Sequence, residues 1–372
     1  MRQHVRVTFG ATLLASLALG ACDRQGGVAD DTVTLGTAGP WKEIYGRNNL
    51  RGIRLAVEHA NAQRLLGDRK LVVIEKDDEG NGEKATQIAT DFIENSAVVA
   101  VIGHVNSGAM MAAAKIYDRG LPAVATTASS PDLTGISPWV FRVISSDSVN
   151  GRDLARFASR LGRRRAAILY ENNSYGRGLT QSFRRNFPGT IVGMDPIGES
   201  GDQNLEPYIS MYKRLAPDII FVAGTEQSGV AILREARRQG FAVDFIGGDG
   251  WTGVTFDTVA SQGVYVAAPF TSTDRRPAAQ KFTVAYRQKY GDEPDGNAAL
   301  AYDATLLVVK AIVESGADRE KVRAYLSKLT EATQFPGVTG PIRFGPDGDP
   351  LGKGLVMTRI RDGTLHVEGG GS

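Results

Sequence analysis

AVVAVIGHVNSGAMMAAAKIYDRGLPAVAT, residues 97–126, decides the fold. An apolar, β-branched run (97–103) ends in glycine, Ser107 opens a helical stretch through Ala109, Ala113 and Tyr117, and a second apolar run (121–126) follows. Continuous apolar runs read as strands buried on both faces, and two of them joined by a helix make a parallel βαβ unit. The rhythm recurs in both directions. VTLGTA (33–38), LVVIEK (71–76), RAAILYE (165–171), TIVGMDPI (190–197), DIIFVAG (218–224), FIGG (245–248) and GVYVAA (263–268) predict strands. Between them, Ile53/Val57/Ala60, Ala85/Ile88/Phe92, Leu154/Phe157/Ala158/Leu161 and Val230/Leu233/Ala236 each make one apolar helix face. The fold class is α/β, with parallel sheets covered by helices.

So many strands exceed one comfortable sheet. The rhythm stops at VFRVISSDSVNG (140–151), a Ser/Asp/Asn-rich crossing, and restarts with a fresh helix. PFTSTDRRP (269–277) offers a second crossing, followed by helices over 277–290 and 297–315 and a tail with strand alternation and an Asp362-Gly363 turn. The expected organisation is a signal segment (1–21), a tether (22–31), a first lobe of 32–144 plus 272–334, and a second of 145–271 plus 335–372.

The single cysteine of the 372 residues, Cys22, cannot form an intramolecular disulfide. It follows a nearly uncharged stretch, Val7 to Ala21, preceded by Arg2 and Arg6, which has the layout of a secretory signal. Leu19-Gly20-Ala21-Cys22 resembles the bacterial lipobox, whose cysteine is lipidated and becomes the first mature residue. The polar DRQGGVADD beyond it reads as a leash, and Asp23 resembles the signal that keeps some lipoproteins at the inner membrane. Loss of 1–21 lowers Lys plus Arg from 43 to 41, equal to the 41 acidic residues. A neutral chain without a basic stripe argues against nucleic acid as partner. Arg163-Arg164-Arg165 reads as a solvated helix-to-strand junction, and no second apolar stretch is expected to span a bilayer.

GHVNSGAMMAAAKIYDRGLPAVATTASSPDLT, FRVISSDSVNG, AILYENNSYGRGL, AYDATLLVVKAI and GVTGPIRFGPDGD, in this order and spacing, resemble the type I periplasmic binding proteins, in the leucine/isoleucine/valine branch that serves ABC importers. The resemblance runs from about residue 33 to 367. It implies two Rossmann-like lobes joined by three crossings, an amino acid or related small carboxylate ligand between them, an ABC permease as partner, and no cofactor. The location implied is extracytoplasmic, at the periplasmic face of the inner membrane or the cell surface, anchored through Cys22. Nothing in the sequence suggests an oligomer, so a monomer is expected. A ligand-sensing subunit of a membrane signalling system would share the same features.

In open α/β sheets, ligands sit beyond the carboxyl ends of the strands, where loops and helix starts present N–H groups. Ser107 lies there; its hydroxyl and the adjacent amides could hold a carboxylate, although an ordinary N-cap serine would look the same. The resemblance assigns the carboxylate to Ser107, and gives the carbonyl of Thr127 and the hydroxyl and amide of Ser129 to the two ends of a zwitterion. Ala128 between them lets a ligand approach closely. Ser129 stands where the family usually has threonine. From the second lobe, Tyr175 offers a ring and a hydroxyl, and Asp249 matches the family's ammonium-binding acid. Thr225, followed by Glu226, replaces the aromatic residue of branched-chain binders, which favours a polar, acidic or differently shaped ligand. Trp41 and Tyr45 are both expected over the same cleft, Tyr45-Gly46 matching an aromatic-Gly pair of the family.

Catalysis finds little support. Of four histidines only His104 falls near a candidate residue, Ser107, and neither a G-x-S-x-G elbow nor an oriented acid accompanies them. Paired Cys or His spacing for a metal is missing, as are G-x-G-x-x-G and phosphate-loop patterns.

Overall fold

The computed structural model describes Met1 and residues 31–199 and 203–368. The calls on the signal segment, the Cys22 anchor and most of the tether lie outside the described residues.

The first half runs β1 (Thr32–Gly39), α1 (Ile44–Ala62), β2 (Lys70–Asp77), α2 (Gly82–Glu94), β3 (Val98–Gly103), α3 (Ser107–Tyr117), β4 (Ala123–Ala125) and β5 (Val140–Arg142). These strands form one five-stranded, all-parallel sheet in the order β2-β1-β3-β4-β5. Parallel pairing with helical crossovers buries both faces. Leu35 and Ile102 belong to a core shared with Ile53 of α1, whereas Val98 and Val101 pack with Phe92 of α2 and Tyr117 of α3. A β-carbon at Gly36 would sit 2.9 Å from the Phe92 ring, so glycine lets α2 lie down on the sheet.

The second half runs α4 (Asp147–Arg160), β6 (Arg165–Glu171), α5 (Ser174–Asn186), β7 (Thr190–Ile197), α6 (Glu206–Leu215), β8 (Ile219–Ala223), α7 (Glu226–Arg238), β9 (Asp244–Gly247) and, after a 3-10 segment (Asp249–Phe256), β10 (Tyr265–Ala268). The chain then makes α8 (Pro277–Tyr290), α9 (Gly296–Ser315), α10 (Arg319–Ser327), β11 (Phe335–Gly337), β12 (Gly340–Ile342), β13 (Val356–Arg361) and β14 (Thr364–Val367). The second sheet has the order β14-β13-β10-β9-β8-β6-β7; β13 and β14 join antiparallel at its edge as the tail hairpin. Phe183 of α5 stacks on Phe221 of β8 at 4.2 Å on one face, and Tyr212, Leu233 and Trp251 fill the other.

Three details differ from the sequence reading. β5 falls in the stretch read as a crossing, yet it pairs parallel with β4. Phe335, Ile342 and Phe344 share one buried core with Ile53 and Leu307, although the sequence reading grouped residues from 335 onward with the second lobe. The reading was drawn off by the strand-like texture of 335–342, which forms only the small β11–β12 pair. Also, α9 is by length and composition apolar enough to cross a membrane, contrary to expectation; 78% of its apolar window is buried as the central helix of the first lobe.

Candidate functional site

The helices α1, α3, α5 and α7 all begin beyond the carboxyl ends of strands β1, β3, β6 and β8, and their N-termini meet between the lobes. There they border a cavity of about 50 Å³. The first lobe contributes Tyr45, Val105, Asn106, Ser107, Thr127 and Asn297; the second contributes Asn173, Tyr175, Thr225, Asp249 and Gly250. Val105 is the one aliphatic side chain in that lining, and no Lys, Arg or His is part of it.

Asn106 is the N-cap of α3, although its side chain makes no capping bond, and Ser107 is the first helical residue rather than the cap. The Ser107 hydroxyl accepts the Ser130 amide at 3.2 Å, which leaves its own O–H to donate into the cavity. With no side-chain cap, the opening turn of α3 presents amide groups and the positive end of the helix dipole to an anion. The loop is held from behind. His104 Nδ1 lies 2.6 Å from Asp78 Oδ2 and Nε2 lies 2.9 Å from the Tyr117 hydroxyl, with all three side chains fully buried. The tautomer carrying Nδ1–H satisfies both contacts. His104 is therefore committed to Asp78 and Tyr117, and it forms no base for Ser107.

On the opposite wall, the Tyr175 hydroxyl donates to Asp249 Oδ1 at 3.1 Å and accepts the Gly250 amide at 3.2 Å. Burial raises the Asp249 carboxyl to about 6 from its ordinary 3.8. Asp147, fully buried at the start of α4, is raised first by burial and then by the charge of Asp249. A cationic group beside Asp249 would offset this cost, because a buried anion needs a partner.

Thr225 lines the cavity, and both its amide (2.8 Å) and its hydroxyl (2.7 Å) donate to the buried Glu171, which also receives Ser228 at 2.8 Å. Glu226 does not reach the lining. Its Oε1 accepts the amide of Tyr45 across the cleft at 2.8 Å, while Oε2 has no partner, and burial foremost raises the group to about 8. Among the first-lobe candidates, Thr127 lines the cavity with its hydroxyl donated to the Val105 carbonyl (3.1 Å). Ser129 and Ala128 are fully buried behind it. The Ser129 hydroxyl donates to Asp147 Oδ2 at 3.0 Å, tying the loop to the first turn of α4 instead of facing the cavity. Of the two aromatics, Tyr45 lines the cavity and Trp41 does not; the Trp41 ring packs over Gly39 against Val105.

Val105, Asn106, Asn173, Gly250 and Asn297 line the cavity without having been singled out from sequence. Asn106 and Asn173 carried a usable signal, since each stands at a strand-to-helix junction as an N-cap. Asn297 carried none, because α9 reaches the cleft from far along the chain.

Two α/β lobes that bring helix N-termini and one buried acid onto a shared polar cavity define a protein that encloses a small solute. Comparison with known proteins places it further. Residues 32–364 match the family model "Periplasmic binding protein", and the chain belongs to that family, in the type I group of ABC importer components. It is 27% identical over 335 residues to the leucine-, isoleucine-, valine-, threonine- and alanine-binding protein of Pseudomonas aeruginosa, covering 87% of this chain and 88% of that one. An ABC transporter substrate-binding protein from Desulfitobacterium hafniense, solved with Leu, is 32% identical with a TM-score of 0.77, over 91% of this chain and 100% of the other. A branched-chain amino acid transporter substrate-binding protein from Streptococcus pneumoniae, solved with isoleucine, is 28% identical with a TM-score of 0.84, over 90% and 98%. The protein is thus an extracytoplasmic solute-binding protein of the ABC transporter type and not an enzyme.

Proposed function

We propose that the chain captures an α-amino acid between its lobes and delivers it to an ABC permease. The observation that carries this reading is the opposition, across one cavity, of the uncapped start of α3 with Ser107 and the buried acid Asp249 with Tyr175. The first suits a carboxylate and the second an ammonium, so a zwitterion is matched at both ends. The leucine and isoleucine bound to the two structural relatives support the same class. In this reading Thr127 borders the ligand, Ser129 and Ala128 shape its loop from behind, and Glu226 acts between the lobes. The chain works as a monomer, tethered to the membrane by a lipid on Cys22, with lobes that part and close about the three passages between them.

The direct test is thermal unfolding of the purified chain against a panel of amino acids, dicarboxylates and aromatic acids. A ligand at a hundred times its Kd adds about 2.7 kcal/mol, a clear rise in Tm. A rise with α-amino acids is the expected result; a rise confined to acids lacking an amine removes the ammonium role of Asp249. For the anchor, Cys22→Ser is expected to move the protein from the membrane to the soluble fraction.

A further inference from the structure

Tyr45 and Asn106 meet in the cavity lining. Asn106 Nδ2 donates to the Tyr45 hydroxyl at 2.9 Å, which leaves the Tyr45 O–H as a donor and Asn106 Oδ1, buried and without a partner, as an acceptor. Turning the amide over exchanges the roles, yet the pair still shows one donor and one acceptor. Asn297 stands on the same lobe's wall, and Thr225 faces it from the second lobe with its hydroxyl hydrogen committed to Glu171. No cationic side chain lines the cavity to neutralise an acidic ligand group, and Asp249 is already assigned to the ammonium. An aliphatic side chain against the Tyr45 hydroxyl would leave its O–H unpaired, which sites built to hydrogen-bond reject strongly.

Resting on the amino-acid reading above, we propose that the physiological ligand is an amino acid with a short, neutral, hydrogen-bonding side chain, a carboxamide or a hydroxyl, recognised by Tyr45 and Asn106.

Isosteric pairs isolate the effect. Asparagine and leucine have the same shape, as do threonine and valine, and aspartate adds only a charge. Calorimetric titration of the full chain with these five is expected to give at least about tenfold tighter binding of asparagine over leucine or of threonine over valine, with aspartate weak. Asn106→Leu is expected to erase the preference by weakening the polar ligand about tenfold while leaving the aliphatic one no weaker. Because Asn106 makes no side-chain capping bond, its replacement leaves α3 intact, which an unchanged Tm in the absence of ligand would verify. Equal or tighter binding of leucine and valine overturns the polar assignment and leaves the amino-acid reading standing. Binding by none of the five, with a response to amine-free acids instead, overturns both.

Discussion

At the scale of single residues, the site depends on whether a buried carboxylate meets a cation. Asp249, raised to about 6 by burial, is charged at neutral pH and neutral in mild acid. A bound ammonium would pull that value down, so affinity for an amino acid should be full well above pH 6 and fall as pH drops through it. Titrations at pH 5 and pH 8 check the sign, and Asp249→Asn should both weaken binding by more than about tenfold and lose the fall in affinity toward acid. A fall toward acid that survives in the variant would assign it to another group. Asp249, Ser107, Tyr175 and Thr225 line the cavity; their positions could be read because each follows a strand end that composition marks clearly, whereas their roles rested on the family resemblance. Ser129 and Glu226 follow strand ends just as closely, yet one faces α4 and the other faces α1. Proximity along the chain places a residue at the cleft, but its rotamer and cross-lobe partner decide whether it faces the cavity.

At the scale of elements, a loop that must present amides needs a rigid support. The Val105–Ser107 turn has it in Asp78, His104 and Tyr117, which bring the ends of β2, β3 and α3 into one fully buried chain of hydrogen bonds. Tyr117→Phe strands one ring nitrogen of His104 without a partner and should cost about 1–3 kcal/mol of stability, measurable by denaturant unfolding. A loss below about 0.5 kcal/mol would mean that the network is redundant. The βα units were readable because apolar runs and helix periods alternate over most of the chain, and the strand edges agreed within a residue or two. Two elements were harder. The 335–342 segment alternates like a sheet strand but packs under α9, and nothing local records which lobe it serves. Likewise α9 is by length and composition apolar enough to cross a membrane, yet most of its apolar window is buried in the first lobe.

At the scale of the whole molecule, hydrogen bonds run directly from one lobe to the other across the cleft. Helix α1 has no side-chain cap of its own, and Glu226, the first residue of α7, supplies one from the other lobe by accepting the Tyr45 amide; beside it the Gln227 amide donates to Glu43. When the lobes part, Glu226 regains water, and its pKa falls from about 8 back toward the ordinary 4.5. The sign follows from the direction of the shift. The closed arrangement binds the proton more tightly, so the Glu226 contribution to closure is complete below about pH 4.5 and is lost as pH rises through about 8. Desolvation is the main cause, and the charges of Asp295 and Glu171 push the same way. Small-angle scattering of the protein without added ligand should therefore show a larger radius of gyration at pH 9.5 than at pH 7, and a saturating amino acid should remove the difference by favouring the closed form. Burial also lowers Lys353 to about 8, and its partners there are Thr339 and Asp303. Glu226→Gln keeps an acceptor for the Tyr45 amide without a titrating proton, and it leaves Lys353 untouched. The variant should stay compact at both pH values; a variant that still expands at high pH would move the latch away from Glu226.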